Sequence, residues 1–165
     1  MSVYLTKPGR LSDVIAAIQV MATYKFYKLP FKSWSERISG TDALTEHWRQ
    51  VFIQHPEFFR LDGKLEKASL VWRRQYPRSY HVDEERKLLK EELLDLSNEE
   101  RATRVSRVPL TPTDISTLLK VAIDLHSRAL EEKKDSRWWI PLAAVVGGLL
   151  GSLLGSVFKL FQTGL

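Results

Sequence analysis

Residues 138–158, WWIPLAAVVGGLLGSLLGSVF, contain no charged side chain. At about 1.5 Å of rise per residue, a helix of that length spans roughly 31 Å, the thickness of a bilayer's hydrocarbon core. Trp138 and Trp139 stand at one end, where amphipathic rings favour the headgroup layer, and Phe158, Lys159 and Phe161 mark the other. Pro141 falls in the first turn, where its missing N–H costs least. A run this long and this apolar reads as a membrane-spanning helix rather than a buried core helix.

Within the run, Gly147, Gly151 and Gly155 recur every four residues, with Gly148, Ser152 and Ser156 in a second small row. Positions four apart share a helix face, so these rows form a flat strip that another backbone can approach closely. The pattern resembles a glycine zipper, the repeated GxxxG face of self-associating membrane helices. That resemblance implies a homo-oligomer.

Seven residues follow the run, so the expected arrangement is a single-pass, tail-anchored membrane protein with its bulk on one side. Lys133, Lys134 and Arg137 precede the membrane and only Lys159 follows it, which places the N-terminal bulk in the cytoplasm. Residues 14–22 are apolar but short, and they lack the small-residue cleavage site of a secretory signal. The chain has no cysteine, which excludes disulfides, thiolate metal sites and Cys nucleophiles.

The formal charge of +5 is unevenly spread: residues 1–80 carry 13 Lys and Arg against 7 Asp and Glu, and residues 81–165 carry 12 against 13. A basic N-terminal part favours an anionic partner, such as nucleic acid or lipid headgroups.

Along the chain, residues 1–10 read as an irregular arm. Leu11, Val14, Ile15, Ile18, Met21 and Ala22 then follow the spacing of a core-facing helix, which is expected to stop before Pro30. Ser33 with Glu36 has capping-box spacing for a short helix over residues 34–38, broken by Ser39-Gly40. A third helix over residues 42–54 carries Leu44, Trp48, Val51 and Phe52 as its apolar set. Asp62-Gly63 marks a turn between extended runs at 57–61 and 65–74.

Helix, short helix, helix and hairpin is the order of winged-helix domains, and residues 11–76 resemble one. The resemblance makes residues 42–54 the recognition helix and puts Lys64 and Lys67 near the wing tip. Asp42 and Glu46 depart from a DNA-reading helix, because carboxylates repel phosphates and only Arg49 stands beside them. Other cations cluster at Arg73, Arg74 and Arg78. A protein partner for the head is therefore the leading expectation, and nucleic acid the alternative.

Residues 81–137 read as a helical stalk, giving a head at 1–80, a stalk, the span and a short tail at 159–165. A helix is expected from Asp83, carrying Leu88, Leu89 and Leu93. Ser97 with Glu100 opens a basic helix whose Arg101, Arg104 and Arg107 share a face at spacing three. After Pro109 and Pro112, Thr113 is expected to cap a last helix. Its Ile115, Leu118, Ala122, Leu125 and Ala129 have the spacing of a coiled-coil seam, or equally of packing on the chain's own helices.

The expected class is α+β and mostly α. His47, His55, His81 and His126 lack metal-ligand spacing, no Gly-rich phosphate loop precedes a helix, and no nucleophile elbow is present. An Arg104/His126 or Arg128/His126 pair is the one enzymatic thought. Without a spaced motif the reading is a non-enzymatic protein with no cofactor and no metal.

Overall fold

The computed structural model describes residues 3–5 and 7–135. The candidate span at 138–158 lies outside the described residues, together with Arg137, Trp138, Trp139 and the whole small-residue strip. Among the described residues no helix is long and apolar enough to cross a membrane. The fold is α+β, with helices holding more than half of the described residues and two small antiparallel sheets.

After a 3-10 turn at Val3–Leu5, α1 (Arg10–Thr23) begins behind Gly9, whose φ of 79° is a left-handed conformation that an L side chain resists. Val14, Ala17, Ile18, Met21 and Ala22 are its buried stripe, at helical spacing. The helix ends at Thr23, earlier than Pro30 alone demands, because residues 28–30 form strand β1 (Lys28–Pro30). Helix α2 (Phe31–Ser39) follows Pro30 directly, so Ser33 and Glu36 fall inside it and do not cap it. Gly40, at φ 73°, closes α2 with its N–H on the Glu36 carbonyl.

Helix α3 (Thr45–Gln54) buries Trp48, Val51 and Phe52, and β2 (Phe59–Leu61) pairs with β3 (Lys67–Leu70). The Asp62 carboxylate fixes their turn by accepting the N–H groups of Glu66 and Lys67 at 2.9 and 3.1 Å. Strand β3 is central in the order β1–β3–β2. It stops at Leu70, and Trp72–Gln75 wind into a 3-10 turn where an extended run to Arg74 was expected.

The larger departure comes next. Residues 83–89 do not begin a helix. β4 (Arg78–His81) turns back through Glu85, at φ 52°, into β5 (Arg86–Lys87). Leu88 is buried there, and its N–H bonds the Ser79 carbonyl, so pairing across the turn overrides the leucine periodicity. The helix is confined to α4 (Lys90–Asp95). Helix α5 (Asn98–Arg104) starts on the Ser97/Glu100 capping box, with both reciprocal bonds made. It ends at Arg104, and β6 (Val105–Arg107) joins β4 to give the order β5–β4–β6.

Helix α6 (Pro112–Asp135) is capped by Thr111 rather than Thr113. Thr111 accepts the Asp114 N–H while Asp114 accepts the Thr111 N–H, which leaves Pro112 at the first helical position. Leu118, Ala122 and Ala129 of the seam are buried in the same core as α1, with Ile115 and Leu125 packed at its edge. The helix read as a stalk therefore lies on the head. Trp34 is at the centre of that core, fully buried, with its ring N–H on the Ala68 carbonyl.

Candidate interaction surface

The nine cations proposed for an anionic partner have different fates. Arg73 is not at the surface at all: its guanidinium is fully buried and donates to the carbonyls of Met21, Tyr24, Lys25, Arg107 and Val108. Burial pulls it down to about 10, although the nearby Tyr80 favours its charged form. Two of its acceptors, Met21 and Tyr24, are at the end of α1, where a cation is favoured by the helix dipole. Arg73 thus ties α1 to the strand at 105–107 and cannot meet a partner.

Three more are occupied by backbone. Arg78 donates to the carbonyls of Arg101 and Val105, Arg101 to that of Leu94, and Arg107 to those of Arg74 and Tyr76 while lying over the Tyr27 ring. Because α5 ends at Arg104, Arg101, Arg104 and Arg107 do not make one cationic face. Arg104 stands 3.8 Å from Asp83. His126 lies against Tyr4 instead, so nothing joins it to Arg104.

On α3, the charges close on one another. Glu46 accepts from Arg49 at 3.2 Å and from Gln50 at 2.8 Å. The Gln50 bond, then the one from Arg49, outweighs the desolvation that opposes them and holds the Glu46 carboxyl below its usual range. Asp42 pairs with Lys32 at 3.1 Å, which raises the lysine, and His47 meets Asp13 at 3.2 Å. The one arginine of the candidate recognition helix is already held by its own helix.

Lys64, Lys67 and Arg74 remain exposed and without an ion pair among the described residues, and the structure adds Arg60. Arg60 stands outside every cluster of cations in the sequence. Its outward place was legible, since Phe59 and Leu61 on either side of it point inward to different degrees. Of these four, Arg60 lines a groove together with Phe52, Ile53, Pro56, Phe59, Leu61, Asp62 and Leu65, and Lys64 stands next to it in the turn between Gly63 and Leu65. Leu65 is 56% exposed and Ile53 41%. The groove is mostly apolar, and its charged lining residues are Arg60 and Asp62, with Lys64 and Lys67 exposed on the adjoining hairpin.

A second cluster joins the arm to the core. The Tyr4 hydroxyl donates to Glu57 at 2.9 Å and His55 Nδ1 meets the same oxygen at 3.0 Å. Burial pushes Glu57 upward, but the hydrogen bonds from His55, its own backbone and Tyr4 outweigh it and leave the carboxyl below its usual value. Burial and the Glu57 charge push the Tyr4 hydroxyl far up, so it stays protonated. Where an irregular arm is expected, Tyr4 anchors the N-terminal residues to the core, and the only local sign of it is the short apolar run Val3-Tyr4-Leu5. No group of three His, Cys, Asp or Glu side chains among the described residues is placed to hold a metal ion.

No protein-family model, no curated protein and no solved structure matches this chain.

Proposed function

We propose that the chain is a non-enzymatic, tail-anchored membrane protein whose cytoplasmic head is a protein-interaction module and whose span gathers copies of it. The head is winged-helix-like: α1, β1, α2, α3, β2 and β3 follow one another in that family's order, with β3 central in the antiparallel sheet. The observation that carries the protein-contact reading is the closure of Arg49 on Glu46 and of Lys32 on Asp42. A helix that reads DNA presents unpaired donors to base edges and phosphates. Here the exposed α3 side chains are neutralised in place, and the surface beside them is apolar.

For the membrane part, the uncharged run at 138–158 supports a span and the Gly147/Gly151/Gly155 strip supports assembly. Substituting all three glycines by Leu is expected to abolish the discrete oligomer of the full-length protein in mild detergent. An oligomer of unchanged mass would reject the strip as the assembly face.

A second reading, a membrane-tethered nucleic-acid-binding regulator, is favoured by one feature: Arg60, Lys64, Lys67 and Arg74, around the β2–β3 hairpin, are exposed and have no ion pair among the described residues. It predicts that the protein shifts duplex DNA at low salt, with affinity falling steeply as salt rises. The protein-contact reading predicts no shift.

A further inference from the structure

The charge of this chain is segregated more sharply than its halves suggest. Residues 83–100 contain eight Asp and Glu against three Lys and Arg, a net of −5 in a chain of +5 overall. This acidic stretch is β5, α4 and the start of α5, and neither of those helices buries a residue. Arg86 already pairs with Glu84 and Glu92, whereas Glu91 and Asp95 have no ion pair among the described residues. Glu91, Leu94 and Asp95 have i, i+3, i+4 spacing, so they share a face of α4. Leu94 is 67% exposed, and Leu89 beside it 68%. A leucine bracketed by two carboxylates stands in the open.

The hairpin carries the counterpart. Leu65 at its tip stands between Lys64 and Glu66, with Lys67 next along the strand, and it adopts φ 56°. Neither its exposure nor its left-handed backbone favours leucine there, since Gly or Asn would accept that conformation with less strain. Such a residue marks a contact more readily than it marks a turn. Of the nearby acids, Asp62 is occupied by Lys28 and two backbone N–H groups and Glu57 by Tyr4 and His55, which leaves Glu66.

We propose that the α4 face of one copy docks on the β2–β3 hairpin groove of a second copy, Leu94 meeting the apolar groove while Glu91 and Asp95 meet Lys64 and Lys67. Both surfaces belong to one chain, neither is covered by the described residues, and Glu91 and Asp95 on one are opposite in charge to Lys64 and Lys67 on the other. A second copy is therefore the occupant whose chemistry is already on the page. The contact is heterologous, one patch against a different patch, so it propagates along a row of heads or closes a ring. It stands independently of the glycine strip, which would only raise the local concentration of heads.

The absence of cysteine makes the test direct. Full-length Leu65→Cys and Leu94→Cys proteins, differently tagged and kept in mild detergent, are mixed and treated with a short bis-maleimide over a series of protein concentrations. Lys64→Cys and Leu89→Cys serve as a second pair where either first variant misfolds. The expected result is a cross-linked species containing both tags, with neither variant cross-linking to itself. Glu91→Lys with Asp95→Lys on the Leu94→Cys chain should lower its yield about tenfold, and Lys64→Glu with Lys67→Glu on the other chain should restore it. Three results would overturn the contact: no mixed species at any concentration, equal self-linking of the Leu65→Cys chain, or a yield indifferent to charge reversal.

Discussion

The sheet β1–β3–β2 lies under three helices and contributes Phe59, Ala68 and Leu70 to one continuous core with α1, α2, α3 and α6. The sheet β5–β4–β6 has the same strand number and the same antiparallel pairing. Yet the buried apolar residues in it and at its strand ends are Val82, Leu88 and Val105, none of which joins that core. What holds the second sheet to the rest is polar: Arg73 and Arg107 reach backbone carbonyls across the join and Ser106 accepts the Tyr27 N–H, while Arg78 donates to Arg101 and Val105 beside its own sheet. One sheet is fastened by excluded water, the other by guanidinium groups. The first tolerates little change in volume, and the second tolerates little change in charge.

The widest break in that contrast is expected from Trp34→Ala. It empties the largest fully buried side chain and leaves the Ala68 carbonyl without its donor, so a loss of about 3–5 kcal/mol should unfold both sheets together in denaturant. Arg73→Met is next. It orphans five carbonyls and frees the end of α1, costing roughly 2–4 kcal/mol. Hydrogen exchange should show β4 and β6 deprotected while α1 and α3 stay closed. If both sheets lose protection equally, the join is not where we place it. Ser97→Ala removes one half of the α5 capping box and should cost about 1 kcal/mol, confined to α5 because that helix buries nothing.

The smallest effect is a pH dependence at the arm. The Glu57 carboxyl is lowered in the folded protein, so its contribution is present above the usual carboxylate value and is lost as pH falls through the lower folded one. Its partial exposure limits this to about a few tenths of a kcal/mol. The Tm difference between Glu57→Gln and the parent should therefore be present near neutral pH and close on acidification. A difference that widens in acid would contradict the assignment.

The two regions were also unequally legible from sequence. The apolar stripe of α1, the Asp62-Gly63 turn and the Ser97/Glu100 box express local rules, and the structure has each of them; the α3 stripe is there from Trp48 on, but Leu44 precedes the helix and is exposed. Leu88 and Leu89 looked helical because their spacing to Leu93 is helical. What decides them is a strand at 78–81 that no local pattern announces. Arg73 looked like its neighbour Arg74, and only the fold reveals that one is a buried clamp and the other a surface cation. The seam of α6 was ambiguous for a physical reason: packing on α1 and packing on another chain demand the same spacing.

The central claim is that assembly comes from the span and interaction from the head. The most direct measurement is the mass of the full-length protein in mild detergent beside a chain ending at Asp135. The account predicts a discrete oligomer for the full chain, and a shorter chain that is monomeric when dilute and gains mass only as its concentration rises. Equal masses for the two, whether both oligomeric or both monomeric, would contradict it.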